Sequence, residues 1–229
     1  HLHSTFSADA VTDVQELLLT AAARGLSGVA VTDHNAVAGG LVAQDVARTL
    51  IAEGRLPAHF VVIPGIEVNA REGHVIGLFV AEHVPVGMRA AETIAAIHAQ
   101  GGLAVAPHPL MSWGVGDLAR RLPFDGVEAQ AFGENLAYAP KSPAIHVRRH
   151  AFYANLPLPQ LGGSDAHDPQ SIGFCYTLVR SAPTPAAVQA ALRAGLTRAV
   201  ALLTPAEHEA LLRRGMVGRL ARYGFQLSA

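Results

Sequence analysis

Short apolar runs alternate with longer amphipathic segments along most of this chain. A short apolar run bounded by turn residues predicts a buried β-strand, and apolar residues spaced i, i+3, i+4 and i+7 predict a helix. Predicted strands are Gly28–Thr32, Phe60–Ile66, His74–Val80, Leu103–Ala106, Gly126–Ala129, Leu158–Gly162 and Phe174–Val179. Predicted helices are Thr12–Arg24, Gly40–Glu53, Ala90–Gln100, Gly116–Arg121, Pro143–Asn155 and Thr184–Ala194.

This alternation of strands and helices predicts an α/β fold with a mostly parallel sheet, either open or closed into a barrel. The chain has 229 residues and no internal repeat or flexible linker, so we expect one domain over residues 1–229. Within it, residues 204–229 are predicted to form a C-terminal helical extension. Its apolar positions would close the barrel or pair with a second copy of the chain, which leaves a homo-oligomer open.

The composition excludes several classes of protein. Half of the residues are hydrophobic and the formal net charge is −1, which favours a packed domain and argues against a surface that coats nucleic acid or membrane. Apolar runs are too short for a transmembrane helix. Cys175 is the only cysteine, so an intramolecular disulfide is excluded and a reducing, cytoplasmic location is expected.

Potential metal ligands follow four of the predicted strands. Asp33 and His34 come directly after the first strand, Glu67 after the second, His108 after the fourth, and the Asp165-Ala166-His167 motif after the sixth. The carboxyl ends of the strands in a parallel α/β barrel share one rim, where sites are built from several strands. The sequence therefore predicts that these distant residues converge.

Two further segments offer imidazoles to the same rim. His1 and His3 would point to one face of a strand, because side chains alternate with a period of two. An isolated His-x-His pair can equally be a frayed terminus, but the turn that follows carries Asp9 back toward the pair. His74 would return beside Glu67 through a hairpin.

Two carboxylates have competing interpretations. Glu67 ends an apolar strand, where an unpaired charge is costly, so it bridges two metals or pairs with Arg71. Asp33 could ligate a metal, orient a ligand imidazole from the second shell, or cap a helix through an Asx turn.

These motifs, taken in order, resemble those of the polymerase-and-histidinol-phosphatase (PHP) domain family. The similarity covers roughly residues 1–177 and rests on His1-Leu2-His3-Ser4, Thr32-Asp33-His34-Asn35, Gly65-Ile66-Glu67, Gly73-His74, Pro107-His108-Pro109 and Gly163-Ser164-Asp165-Ala166-His167. Membership implies a distorted, TIM-like (β/α)7 barrel with a trinuclear Zn, Mn or Fe site at the strand ends.

The resemblance also implies three groups of ligands for two or three divalent cations. One metal would take His1, His3, Glu67 and Asp165, a second Glu67, His74 and His108, and a third Asp9, His34 and His167. Asp9 departs from the usual pattern of the first motif, in which an Asp-Gly pair follows the serine. Mixed nitrogen and oxygen donors suit Zn, Mn or Fe.

The expected activity is hydrolysis of a small phosphomonoester, such as a nucleotide or histidinol phosphate, by a metal-bridging hydroxide. Glu67, Asp165 and His167 are the expected catalytic residues, and Arg71, Lys141 and Arg148 are candidates to clamp the phosphate. A polynucleotide substrate is disfavoured because the sequence shows no basic track. A short-oligonucleotide exonuclease, an amidohydrolase-like enzyme and a non-catalytic regulatory module are the alternatives.

Overall fold

The computed structural model describes residues 1–138 and 141–202. Its strands are β1 (Gly28–Val31), β2 (Val61–Ala70), β3 (Gly73–Leu78), β4 (Leu103–Ala106), β5 (Gly126–Ala131), β6 (Gln160–Gly163), β7 (Cys175–Val179) and β8 (Thr197–Ala201). Its helices are α1 (Val14–Ala23), α2 (Ala38–Ala52), α3 (Ala90–Ala99), α4 (Phe132–Tyr138), α5 (Pro143–Ala154) and α6 (Pro185–Arg193), with a 3-10 helix at Gly116–Arg120.

The fold is α/β, and strands β1 to β6 lie side by side in sequence order in one curled sheet. This sheet has the shape of a half-barrel. The β1–β2, β4–β5 and β5–β6 pairs are parallel, and β3 alone runs antiparallel to both of its neighbours. Strands β7 and β8 form a separate antiparallel pair. The mostly parallel sheet is therefore as predicted, and its antiparallel strand β3 is the hairpin predicted to return His74 beside Glu67.

The first three residues connect the two edges of this sheet. Leu2 makes parallel bridges both to Val31 at the end of β1 and to Ala166 just beyond β6. The amide of Thr32 donates to the Leu2 carbonyl at 2.8 Å, and the amide of His3 donates to the Ala166 carbonyl at 2.9 Å. The segment thus bridges the two edges of this half-barrel, and so closes it, where its parallel strands end.

The boundaries differ from the prediction in instructive places. The predicted end of the second strand at Ile66 is wrong, because hairpin pairing with β3 supplies ladder hydrogen bonds as far as Ala70. Helix α4 and strand β8 were not predicted, since neither shows a clear period. The segment at Gly116 is a 3-10 helix rather than an α-helix. The proposed C-terminal extension lies outside the described residues.

Amphipathic helices cover the sheet. Helix α1 begins at the N-cap Asp13, whose carboxylate accepts from the Glu16 amide. It buries one apolar face, formed by Val14, Leu17, Leu18 and Ala21. This face packs against α2, where the small residues Gly39 and Gly40 allow close approach to the strand ends. None of the helices in the described ranges is long and apolar enough to cross a membrane.

Candidate metal centre

Glu67 is a fully buried carboxylate surrounded by five imidazoles. Its Oε2 atom lies 3.2 Å from His1 Nε2, 3.3 Å from His3 Nε2 and 3.1 Å from His34 Nδ1. Its Oε1 atom lies 2.9 Å from His74 Nδ1 and 3.0 Å from His108 Nε2. The two oxygens thereby face two different sets of nitrogen donors, an arrangement suited to a carboxylate that bridges two cations.

Asp165 completes the first set of donors. Its Oδ1 atom lies 3.3 Å from the Nε2 atoms of both His1 and His3. The candidate ligand atoms of His1, His3, Glu67 and Asp165 all lie within 4.8 Å of one another. Two nitrogens and two oxygens at these separations match the donor set of a four-coordinate divalent cation.

A second and more exposed group lies on the solvent side. Asp9 Oδ2 is 3.3 Å from His167 Nε2 and 3.5 Å from His34 Nε2. His34, His167 and His3 form one cluster with ligand atoms within 4.8 Å, and His34 joins Glu67 and His74 in another. His34 therefore belongs to both clusters, which makes them contiguous.

Hydrogen bonds orient the imidazole of His3. The Ser7 hydroxyl donates its one proton to Asp33 at 2.9 Å and lies 3.1 Å from His3 Nδ1, so His3 Nδ1 has to donate to the serine oxygen. The Nε2 lone pair of His3 is then directed at the cluster. Asp33 also accepts from the Ser4 amide and hydroxyl, and it reaches His3 only through Ser7.

Glu128 orients His1 in the same way. Its two carboxylate oxygens both lie 3.0 Å from His1 Nδ1, which leaves Nε2 directed at Glu67 and Asp165. The second oxygen also accepts from the His108 amide at 3.2 Å. A carboxylate behind a ligand imidazole is the usual support of a metal-binding histidine.

The inner group of donors requires a positive charge between its members. Four of its buried atoms have no partner with hydrogen-bond geometry among the residues that the structure describes: His1 Nε2, His3 Nε2, His34 Nδ1 and Glu67 Oε2. Lone pairs this close repel one another unless a proton or cation lies between them. The residues therefore fit a resident divalent metal.

The pKa values of the cluster lead to the same conclusion. Burial lowers the pKa of His1, but Glu128, Asp165 and Glu67 raise it, and the result lies well above the usual value. Burial raises the pKa of Glu67, whereas His1, His108 and His3 lower it to well below its usual value. The carboxylates are thus ionised and attract either protons or a metal that displaces them.

Two proposed ligands lie on strained backbone. His108 has φ +27° and Asp165 has φ +49°, values that non-glycine residues rarely adopt. Neighbouring glycines allow close packing, since a Cβ on Gly163 would lie 1.9 Å from the Glu128 carboxylate and 2.7 Å from His1 Cβ. Such strain persists where the surrounding structure imposes it, and it often marks a functional site.

The three predicted phosphate-binding cations lie on the exposed surface. The Arg71 guanidinium donates to the Gly87 carbonyl at 2.9 Å. Glu67 is instead surrounded by imidazoles, so the alternative in which Glu67 pairs with Arg71 is wrong. That Arg71, Lys141 and Arg148 bind the phosphate of the substrate remains a prediction.

Three supporting residues escaped the sequence analysis. Glu128 interrupts an apolar strand just as Glu67 does, so its burial was a readable signal. Ser7 lies in the turn that carries Asp9, and the sequence assigned no role to its hydroxyl. The third, Arg149, donates to buried Glu134 at 2.8 Å, and Glu134 accepts from the Leu110 amide beside the His108 loop. Nothing in the sequence distinguished Arg149 from Arg148.

Comparison with known proteins gives consistent results. A model described as the PHP domain matches residues 1–107, and one described as PHP-associated matches residues 148–197. The uncharacterized protein MJ1587 of Methanocaldococcus jannaschii is 35% identical over 140 residues, which cover 56% of this chain and 77% of that protein.

Several solved structures resemble this fold, and two of them cover most of the chain. One is a two-domain protein from Bacteroides vulgatus described as containing a predicted PHP-like metal-dependent phosphoesterase, with TM-score 0.65, 17% identity and coverage of 87% of this chain but only 63% of that one. The other is PsfC from Pseudomonas syringae, with TM-score 0.59, 20% identity and coverage of 97% and 96%. At these identities the likeness shows the fold.

Proposed function

The chain belongs to the PHP domain family, and on that premise we propose that it hydrolyses a small phosphomonoester at a metal centre built around Glu67. In this reaction a water oxygen forms a bond to phosphorus, the ester P–O bond breaks, and the leaving alcohol takes a proton. The observation that carries the proposal is the convergence of five imidazoles on the Glu67 carboxylate.

The chain's own groups would have distinct tasks. His1, His3, Glu67 and Asp165 would hold one cation, Glu67, His74 and His108 a second, and Asp9, His34 and His167 a third. Bound cations supply Lewis acidity, which activates water and neutralises charge on the phosphoryl oxygens. Zn, Mn and Fe all suit these nitrogen and oxygen donors.

Differences in exposure indicate where the substrate enters. The side chains of His1, His3, Glu67 and His108 are almost wholly buried, whereas that of Asp9 is 54% exposed and those of His34, His74 and His167 are partly exposed. The phosphate would approach from this exposed side. Asp165, between the two sides, would orient the attacking water.

The proposal is tested by metal content and hydrolysis together. Reconstituted with Mn²⁺, the protein should bind at least two metal equivalents and hydrolyse p-nitrophenyl phosphate in preference to amide or lactone substrates. Glu67→Ala and His167→Ala should abolish turnover while leaving the circular dichroism spectrum unchanged. His98→Ala, which alters a histidine paired with Asp125, should retain activity.

The outcomes separate the alternatives. Preferred cleavage of an amide or lactone would replace phosphoester hydrolysis with an amidohydrolase-like reaction. Fewer than two metal equivalents would favour a regulatory module without catalysis. Equal activity in all three variants would show that the site has been assigned to the wrong residues.

A further inference from the structure

Trp113 lies at the edge of the proposed metal centre with its indole open to solvent. It is the only tryptophan of the chain, and it is 47% exposed. The indole centroid is 6.2 Å from the ring of His108, and the two rings are inclined at 72°. The large apolar ring of Trp113 thus lies beside the proposed metal ligand His108 and is not buried in the core.

The backbone that carries Trp113 is held on both sides. The amide of His74 donates to the Trp113 carbonyl at 2.9 Å, which ties the loop to a second proposed ligand. Within the loop, the Met111 amide donates to the His108 carbonyl at 3.0 Å, and the Gly114 amide donates to the Met111 carbonyl at 2.9 Å. Gly114 also packs against Gly73 so closely that a Cβ on Gly73 would lie 2.6 Å from its carbonyl carbon.

A rigid loop with an exposed indole is suited to binding a planar group. Exposing a tryptophan forgoes the free energy of burying its apolar surface, and a ligand that covers the ring recovers it. Because the backbone is already ordered, little conformational entropy would be lost on binding. Bases stack on aromatic side chains irrespective of their identity, since every base has a π-face.

We propose that Trp113 is the stacking platform for the base of a nucleoside monophosphate whose phosphate occupies the metal centre. This inference rests on the proposed function and narrows it to a phosphomonoester with a heteroaromatic base, in preference to alkyl or sugar phosphates. The formal charge of −1 favours a single nucleotide over a polymer, because a polynucleotide needs several cationic contacts along its backbone.

The first test is a binding titration that does not depend on turnover. Excitation at the red edge of indole absorption reports Trp113 alone. The probe is the phosphonate analogue of AMP, in which a methylene group replaces the ester oxygen. Added to the Mn²⁺-loaded protein, it should quench the fluorescence saturably, whereas ribose 5-phosphate at the same concentration should not. Equal quenching by both, or none by either, would overturn the assignment.

The second test is a comparison of kcat/KM between AMP and ribose 5-phosphate. Trp113→Ala should lower the value for AMP about tenfold or more, as expected for loss of a stacked base, and leave that for ribose 5-phosphate unchanged. Trp113→Phe should recover part of the loss. Phe6→Ala is the matched control, because Phe6 is another exposed aromatic residue on a ligand-bearing segment, and it should leave both values unchanged.

The results distinguish this inference from the proposed function. If both phosphates are hydrolysed and Trp113→Ala affects them equally, phosphoester hydrolysis stands and base stacking fails. If Phe6→Ala rather than Trp113→Ala removes the preference for AMP, the platform has been assigned to the wrong residue. If Mn²⁺ binds but neither phosphate is hydrolysed, the proposed function fails, and the fluorescence titration of the Mn²⁺-loaded protein still decides whether the base is recognised.

Discussion

At the scale of single residues, the candidate site depends on two buried carboxylates with different tasks. Glu67 faces nitrogen donors with both of its oxygens, whereas Glu128 lies behind the site and accepts from His1 Nδ1. One is suited to bind metal and the other to hold a ligand imidazole. A buried carboxylate that ligates no metal can still set the affinity of the site, because it determines the tautomer and direction of the ligand.

Glu128→Gln should therefore weaken metal binding without unfolding the protein. The amide keeps the size of the side chain but loses the charge that orients His1. We expect the dissociation constant of the tightest Mn²⁺ site to rise by about 10- to 100-fold, measured by competition with a fluorescent chelator.

Asp125→Asn is the matched control for this change. Asp125 immediately precedes β5, the strand that carries Glu128, and its carboxylate lies 2.7 Å from His98 Nε2. This substitution also replaces a carboxylate beside a histidine with an amide, but His98 is not among the proposed ligands. Unchanged metal affinity in Glu128→Gln, or an equal loss in Asp125→Asn, would contradict the role assigned to Glu128.

At the scale of secondary structure, the β2–β3 hairpin aligns two segments of the site. The strands are joined by only Arg71 and Glu72, and the hairpin places Asn69 opposite His74. It begins its return at Gly73, whose φ of +140° is open to glycine alone. The same glycine lies against Gly114 in the Trp113 loop, so one position controls the packing of two elements.

Gly73→Ala should disturb both elements at once. The new methyl group would lie 2.6 Å from the Gly114 carbonyl carbon, and the backbone would carry additional strain. We expect a loss of about 1–3 kcal/mol in the free energy of unfolding, measured by urea denaturation, together with weaker Mn²⁺ binding.

Gly54→Ala provides the comparison for the backbone effect alone. Gly54 also has a positive φ, of +71°, but a Cβ there would meet no atom of residues 1–138 or 141–202 within 4 Å. This variant should lose stability without losing metal affinity. If Gly73→Ala retains normal metal affinity, the contact with Gly114 does not position the site.

At the scale of the whole molecule, the proposed ligands come from segments spread between His1 and His167. The N-terminal segment joins the two edges of the curled sheet, and His1 and His3 flank the residue that makes this junction, Leu2. A metal bound to His1, His3, Glu67 and Asp165 would therefore cross-link the first segment, β2 and the end of β6. Metal binding and barrel closure should be thermodynamically linked.

Removing metal should thus lower the thermal stability of the protein. A cation present at about 100 to 1,000 times its dissociation constant adds roughly 3–4 kcal/mol to the free energy of unfolding. We expect a chelator to lower Tm and added Mn²⁺ to restore it, measured by scanning calorimetry. Glu67→Gln should respond little to either treatment. A Tm independent of metal in the unaltered protein would contradict the proposed cross-link.

Local pattern in the sequence was sufficient for most helices, most strands and the fold class. The apolar face of α1 was readable because burial of one side of a helix imposes a helical period on the sequence. The four residues of β4 were readable because full burial makes a continuous apolar run, and the polar motifs because each one ends such a run. The boundary of β2 was not readable, since its last residues are stabilised by β3 rather than by their own hydrophobicity. Helix α4 was likewise not readable, because its own sequence shows no clear helical period.

The sequence by itself determined which side chains were available for metal chemistry and that they would face one rim of an α/β sheet. Only the tertiary structure decided which oxygen of Glu67 faces which imidazole, that Glu128 supports His1, and that Trp113 stands open beside His108. The reason is physical. Periodicity reports what a residue does within its own element, whereas ligand geometry depends on how separate elements pack, and that information is spread over the whole chain.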